Sequence, residues 1–222
     1  HTLLESGATP ADLERLCDEA CEHHFASVCV LPFHVPQAAE HLRGCDVKVS
    51  TVVSFPQGDD PPRTKAAAAE HCVAAGADEI AVSLNVAAMW AGEFRLARDE
   101  LAGVVHAVQM RSVNTGKAQV LVKVMLDCAR LGSKRAQLAC KIVEDVEADF
   151  AETAPDDGLG SAVLHDVELL RDRLSESVSV KASGEIASVE DAREMLTAGA
   201  SRLGTRHALA IVRGFHKLTR AS

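Results

Sequence analysis

The sequence predicts an α/β fold, a closed eight-stranded (β/α)8 barrel of the TIM type. Three observations predict it. Short apolar runs alternate with helix-length segments from one end of the chain to the other, the mark of βα units and a parallel sheet. The runs are rich in Val, Ile and Leu with little strict alternation, as strands buried on both faces require. The count of runs reaches eight, which favours closure over an open doubly wound sheet. No Gly-x-Gly-x-x-Gly follows a strand, which weakens a nucleotide-binding alternative.

The first strand is predicted at Thr2–Leu4. Thr9-Pro10 then supplies an N-cap followed by proline at the first helical position, with Asp12 in the first turn. The second and third strands are predicted at Ala26–Leu31 and Val47–Ser54. Gly76 sits where the following helix must stop, ahead of a fourth strand at Asp78–Leu84. The fifth, sixth and seventh strands follow at Gln119–Leu126, Asp149–Glu152 and Val178–Lys181. Ser188 through Asp191 repeats the helix-start signal, Gly199 ends that helix, and the last strand is Arg202–Gly204. With no linker, low-complexity tract or shift of composition, residues 1–222 are expected to form a single domain.

Apolar residues make up 47% of the chain and charged residues 25%, an ordinary globular balance. The net charge of −9 argues against a nucleic-acid partner, since no surplus of Lys and Arg exists to neutralise phosphates. No apolar run approaches the length of a membrane span. His1 opens the chain in place of an initiator Met, which leaves room for a segment upstream, and no signal-peptide pattern is visible. The seven cysteines are Cys17, Cys21, Cys29, Cys45, Cys72, Cys128 and Cys140. Their odd number and the absence of a Cys-x-x-Cys pair predict reduced, mostly buried thiols in an intracellular, cytoplasmic protein. Cys21, His23 and His24 cluster near a helix end. A solvated helix end is preferred there to a metal site, which needs four converging ligands.

In such a barrel the chemistry sits at the C-terminal strand ends, so charged residues inside or just after apolar runs are the candidates. Lys123 interrupts Val-Leu-Val-Lys-Val-Met-Leu, Lys181 ends Val-Ser-Val-Lys, and Glu152 follows Ala-Asp-Phe-Ala. All three are expected to point into the barrel mouth. Gly184 with Glu185, and Gly204 with Thr205, follow the last two strands, where barrels of this architecture bind phosphate. A lysine in a buried strand is costly unless it is paired or functional. It is either a Schiff-base or proton-transfer lysine, or one half of an ion pair across the barrel with Glu152. Two such lysines on separate strands favour an active site, former or present. Trp90 reads either as an interface anchor or, more simply, as a barrel-rim contact.

At these residues the chain resembles the deoxyribose-phosphate aldolase family over nearly its whole length. The matching segments include His1-Thr2-Leu3-Leu4, Phe25-Ala26-Ser27-Val28-Cys29-Val30, Phe55-Pro56-Gln57-Gly58 and Gly76-Ala77-Asp78-Glu79-Ile80. They continue through Leu121-Val122-Lys123-Val124, Ala148-Asp149-Phe150, Val180-Lys181-Ala182-Ser183-Gly184 and Ala198 to Thr205. The resemblance implies a class I aldolase on a (β/α)8 barrel. Such an enzyme joins or cleaves acetaldehyde and glyceraldehyde 3-phosphate through a lysine Schiff base, without metal or other cofactor. It places Cys29 at a pocket position and points to a homodimer.

The resemblance fails at specific places. The family's Schiff-base lysine is replaced by Glu152, and its essential aspartate on the fourth strand by Ala81. The lysine that tunes the first is kept as Lys181, and the fifth-strand lysine as Lys123. The Ser-Thr-Gly run after the Schiff-base lysine reads Ala154-Pro155-Asp156-Asp157. The double glycine of the phosphate loop reads Gly184-Glu185, and the small residue after the last Gly-Thr is Arg206. The family's tail often carries a tyrosine, and this chain has none. A carboxylate cannot form an imine, so Glu152 removes the nucleophile. It also reverses the field at Lys181, whose pKa an anion raises. Glu185, Asp156 and Asp157 bring negative charge towards the phosphate region. The expectation is a divergent, non-catalytic aldolase-like protein kept for binding, its partner a protein or a small phosphorylated aldehyde. Two enzymatic alternatives stand beside it: an aldolase with its imine moved to Lys181 or Lys123, and a lyase or isomerase with Glu152 as general base.

Overall fold

Strands that are apolar on both faces need helices outside and packed side chains inside. The computed structural model, which describes residues 1–117, 119–153 and 164–221, arranges the chain in that way. The strands are β1 (Thr2–Leu3), β2 (Ser27–Val30), β3 (Lys48–Val53), β4 (Glu79–Ser83), β5 (Leu121–Leu126), β6 (Phe150–Thr153), β7 (Ser179–Ser183) and β8 (Arg202–Gly204). They form one parallel sheet in chain order, curled into a nearly closed barrel. Each predicted strand is present within a few residues of its expected ends.

Among the described residues the helices number nine rather than the expected eight. They are α1 (Pro10–Glu22), α2 (Val35–His41), α3 (Pro62–Ala75), α4 (Val86–Ala91), α5 (Phe94–Thr115), α6 (Cys128–Asp145), α7 (Leu164–Arg173), α8 (Val189–Thr197) and α9 (Ala208–Ala221). The extra one is α4, in the loop after β4. The Asn85 side chain accepts from the Ala88 amide to start it, and Gly92 at φ 78° ends it before α5 begins. The expected caps are in place. Thr9 with Asp12 and Ser188 with Asp191 each form a reciprocal capping box. Gly76 closes α3 at φ 120°.

Two apolar layers result. The larger lies between sheet and helices and contains Val28, Val30, Val82, Val122, Val124 and Val180 from the outward strand faces. The smaller is inside the barrel: Cys29, Val52, Ala81 and Met125, with Leu4, Leu31 and Phe55 against them. Each fully buried Val or Leu contributes roughly 1.5–3 kcal/mol. A second buried pair stiffens the outer shell, where Lys65 of α3 meets Glu100 of α5 at 2.7 Å and Asn85 donates to the same carboxylate. No helix among the described residues is long and apolar enough to cross a membrane.

The cysteine expectation needs a correction. Cys21 and Cys45 form a disulfide, because the end of α1 and the segment after α2 lie side by side with a Cα–Cα distance of 6.2 Å, within bridging reach. Cys17, Cys29, Cys72, Cys128 and Cys140 are free and buried, as read. The Cys21–His23–His24 cluster is dispersed: His23 stacks on Phe25, and the His24 ring bonds Asp46 at 3.0 Å. Trp90 behaves as a rim contact, its indole donating to the Arg130 carbonyl while Arg135 covers the ring at 3.8 Å.

The loop after β3 is set by a close backbone approach. Gly58 sits at φ 72°, and a Cβ there would lie 2.1 Å from the Leu84 carbonyl oxygen. Gly58→Ala is therefore expected to destabilise the protein by about 2–4 kcal/mol, from αL strain plus displacement of the loop. Chemical denaturation checks this, and an unchanged midpoint would show that the loop yields freely.

Candidate active site at the barrel mouth

Strand register decides which charged side chains meet. Glu152 of β6 and Lys181 of β7 are direct partners in the ladder. On adjacent parallel strands their side chains rise from the same face about 4.8 Å apart. Both are buried, and Lys181 Nζ lies 2.6 Å from Glu152 Oε1. Ser183 Oγ donates to the same oxygen at 2.6 Å. The other oxygen, Oε2, is buried with no hydrogen-bond partner among the described residues. Gly204 of β8 makes room for this arrangement, since a Cβ there would lie 2.7 Å from Lys181 Cε and 2.3 Å from Ser183 Oγ.

Lys123 lies elsewhere. It faces the barrel interior as expected but sits below the mouth, fully buried and outside the cavity lining. Its side chain is two residues before Met125, which does line the mouth, so it lies one pleat, about 7 Å, deeper. Its direct neighbour on β4 is Ala81, which offers no acceptor. Lys123 bonds instead to Glu79, two residues earlier on that strand, and to Ser50 at 3.1 Å. Glu79 also takes Arg202 of β8 at 2.5 Å, and the Arg202 guanidinium lies over the Phe150 ring at 5.1 Å. The expected pairing of a barrel lysine with Glu152 thus holds for Lys181 and not for Lys123. Glu79 and Arg202 were missed as interior charges. The test that singled out Lys123, a charge inside an apolar run, would have found Glu79 in Asp-Glu-Ile-Ala-Val.

These contacts set the protonation states. Burial pulls the Lys181 ammonium towards neutrality, but the Glu152 charge and hydrogen bond outweigh it and its pKa is raised. Burial, reinforced by the Lys181 charge, lowers that of Lys123 despite Glu79. For Glu79 burial acts upward, yet Lys123 and then Arg202 prevail and hold the carboxyl at about 2. Burial pushes the Cys29 thiol up, so it is no ready nucleophile.

A cavity of about 420 Å³ opens above the pair. Leu4, Cys29, Val52, Phe55 and Met125 form its apolar lining, and Glu152, Lys181, Ser183, Gly184, Gly204, Thr205, Glu5 and Arg206 line it too. Two of the loop amides are engaged within the protein. The Gly184 amide donates to the Gly204 carbonyl, and that of His207 to Thr205 Oγ1. Glu185 lies outside the lining, 3.5 Å from His207, and Arg206 reaches Glu5 at 3.5 Å. Ala154, Pro155, Asp156 and Asp157 lie outside the described residues. Among the described residues no cluster of three or more His, Cys, Asp or Glu side chains is placed to hold a metal ion.

No protein-family model matches the chain. It is 40% identical over 212 residues to the deoxyribose-phosphate aldolase of Caldicellulosiruptor saccharolyticus, covering 96% of this chain and 94% of that one. The deoxyribose-phosphate aldolase of Caldanaerobacter subterraneus is likewise 40% identical, over 217 residues, 98% of this chain and 91% of that one. Among solved structures, deoxyribose phosphate aldolase from Aeropyrum pernix, described as having a unique tetrameric structure, superposes with a TM-score of 0.88 at 26% identity. That match covers 98% of this chain and 88% of that one. An aldolase named QR15 gives 0.90 at 26% identity, over 100% and 95% of the two chains.

Removing Glu79 should be costly, because it leaves Lys123 buried beside Lys181 without its carboxylate. Glu79→Gln is expected to lower stability by about 3–5 kcal/mol in urea titrations near pH 7. The sign with pH follows from the depressed pKa of Glu79. Its contribution is full above the ordinary value of 4.5 and is lost as pH falls towards about 2. The acid-side decline should therefore be shallower in Glu79→Gln than in the unmodified protein, and parallel curves would contradict this.

Proposed function

The chain belongs to the deoxyribose-phosphate aldolase family, and from that premise we propose that it has given up the family's Schiff-base reaction and keeps the barrel mouth as a binding site. The observation that carries this reading is the carboxylate of Glu152, where the resemblance puts the Schiff-base lysine, held 2.6 Å from Lys181. An imine needs an uncharged amine facing the substrate. Lys181 faces the cavity but is held protonated by its carboxylate partner, and Lys123 has the depressed pKa but lies sealed below. Neither lysine combines the two requirements. Ala81 adds a second deficit, since a methyl group stands where the resemblance puts a proton-relaying aspartate.

The rival reading, an imine moved to Lys123, draws on that residue's lowered pKa. Complete burial beneath the cavity stands against it. A base role for Glu152 draws on its place in the lining, but one of its oxygens is already committed to Lys181 and Ser183. Retention for binding leaves two kinds of partner, a small ligand in the mouth or another protein. Self-association belongs to the proposal as well, given the tetramer described for the Aeropyrum pernix aldolase.

Borohydride reduction with acetaldehyde, followed by intact-mass measurement, is expected to leave the protein without an adduct. A stable adduct on Lys181 or Lys123 would overturn the proposal. Cleavage of deoxyribose 5-phosphate is likewise expected at background rate.

Glu152→Lys alone is expected to restore little turnover, because groups that act as a unit are strongly non-additive. Adding Ala81→Asp and Glu185→Gly should raise the rate by more than the product of the separate gains. Substantial turnover by the single variant would show that the rest of the site is intact.

A further inference from the structure

The mouth holds one buried polar atom that the protein leaves unanswered. Glu152 is 2% exposed and lines the cavity, and its Oε2 has no hydrogen-bond partner while Oε1 has two. A buried acceptor left unpaired costs about 1–3 kcal/mol, more when it is charged. That cost disappears when a ligand in the cavity supplies a donor. Resting on the binding role proposed above, we infer that the mouth takes a small, neutral, hydroxyl-bearing molecule, a short polyol or unphosphorylated sugar, with one hydroxyl donating to Glu152 Oε2.

Further features select this chemistry. Among the described residues, the charged ones lining the cavity are Lys181 and Arg206 against Glu5 and Glu152, which cancel and leave no net charge there to hold a phosphate. The Gly184 amide and the His207 amide, in the loops after β7 and β8, already donate to protein oxygens and are not free for an anion. A cationic amine is disfavoured as well, because any group reaching Oε2 also meets the Lys181 ammonium 2.6 Å from the same carboxylate. A hydroxyl suits both neighbours, donating to the carboxylate and accepting from the ammonium. The apolar lining, with Val52, Phe55 and Met125, matches the C–H face of a sugar. The volume of about 420 Å³ suits a small molecule of this kind.

Titration calorimetry on the intact protein tests this with 2-deoxyribose, deoxyribose 5-phosphate and inorganic phosphate as probes. The expected result is binding of 2-deoxyribose, no gain in affinity from the 5-phosphate, and no binding of phosphate alone. Glu152→Gln should weaken 2-deoxyribose by about tenfold or more, the loss of one hydrogen bond to a charged group. Val52→Phe, on β3 and laddered to neither member of the pair, narrows the cavity and should weaken it too, so the test survives if Glu152→Gln fails to fold. Absence of 2-deoxyribose binding overturns the inference, as does tenfold tighter binding of the 5-phosphate. An imine adduct in the borohydride assay would sink the non-catalytic reading alone, so the two failures are distinguishable.

Discussion

The ion pair between Glu152 and Lys181 is the constraint around which the upper barrel is built. Two charges taken out of water are tolerated when they meet at good geometry and further hydrogen bonds offset part of the lost hydration. Register brings the two side chains level, and the neighbouring residues hold that register. Thr153 Oγ1 donates to the Ser183 carbonyl and accepts from the Ser183 amide, tying β6 to β7 just beyond the pair. Gly204 leaves the space that Lys181 crosses, and Ser183 supplies the second donor to Oε1. The answered oxygen fixes the carboxylate, and the unanswered one defines what the cavity asks of a ligand.

A second charge cluster, one pleat deeper, has a different character. Glu79 is held between Lys123 and Arg202, away from the cavity, and all of its contacts are with the protein. This is a structural arrangement of paired charge in the barrel interior, beside the apolar cluster of Cys29, Val52, Ala81 and Met125. The two clusters still feel one another. The Lys181 charge helps to depress the pKa of Lys123, and that depression is the property a Schiff-base lysine needs. Here it falls on an amine that the cavity does not reach.

Strand positions were legible because parallel strands buried on both faces leave unbroken apolar runs, and helix ends because Thr9, Ser188, Gly76 and Gly199 carry recognisable cap chemistry. The short helix α4 was not, since Asn85 and Gly92 bracket only one and a half turns, too few for a periodic pattern to appear. The bond between Cys21 and Cys45 was hidden for a different reason. Its partners are brought together by the packing of α1 against α2, and nothing in their spacing announces it.

The sequence by itself determined the barrel and the family resemblance, which implies a lysine where Glu152 stands, because each is a property of residue type and order along the chain. It also determined the sign of the shift at Lys181, which follows from placing an anion where a cation is expected. Only the tertiary structure decided which lysine met that anion. Lys123 and Lys181 are equally conspicuous in the sequence, but ladder register sets Lys181 beside Glu152 and drops Lys123 one pleat lower, to Glu79. Register is a relation between strands far apart in the chain, fixed by the closing of the whole sheet, and so no local pattern records it.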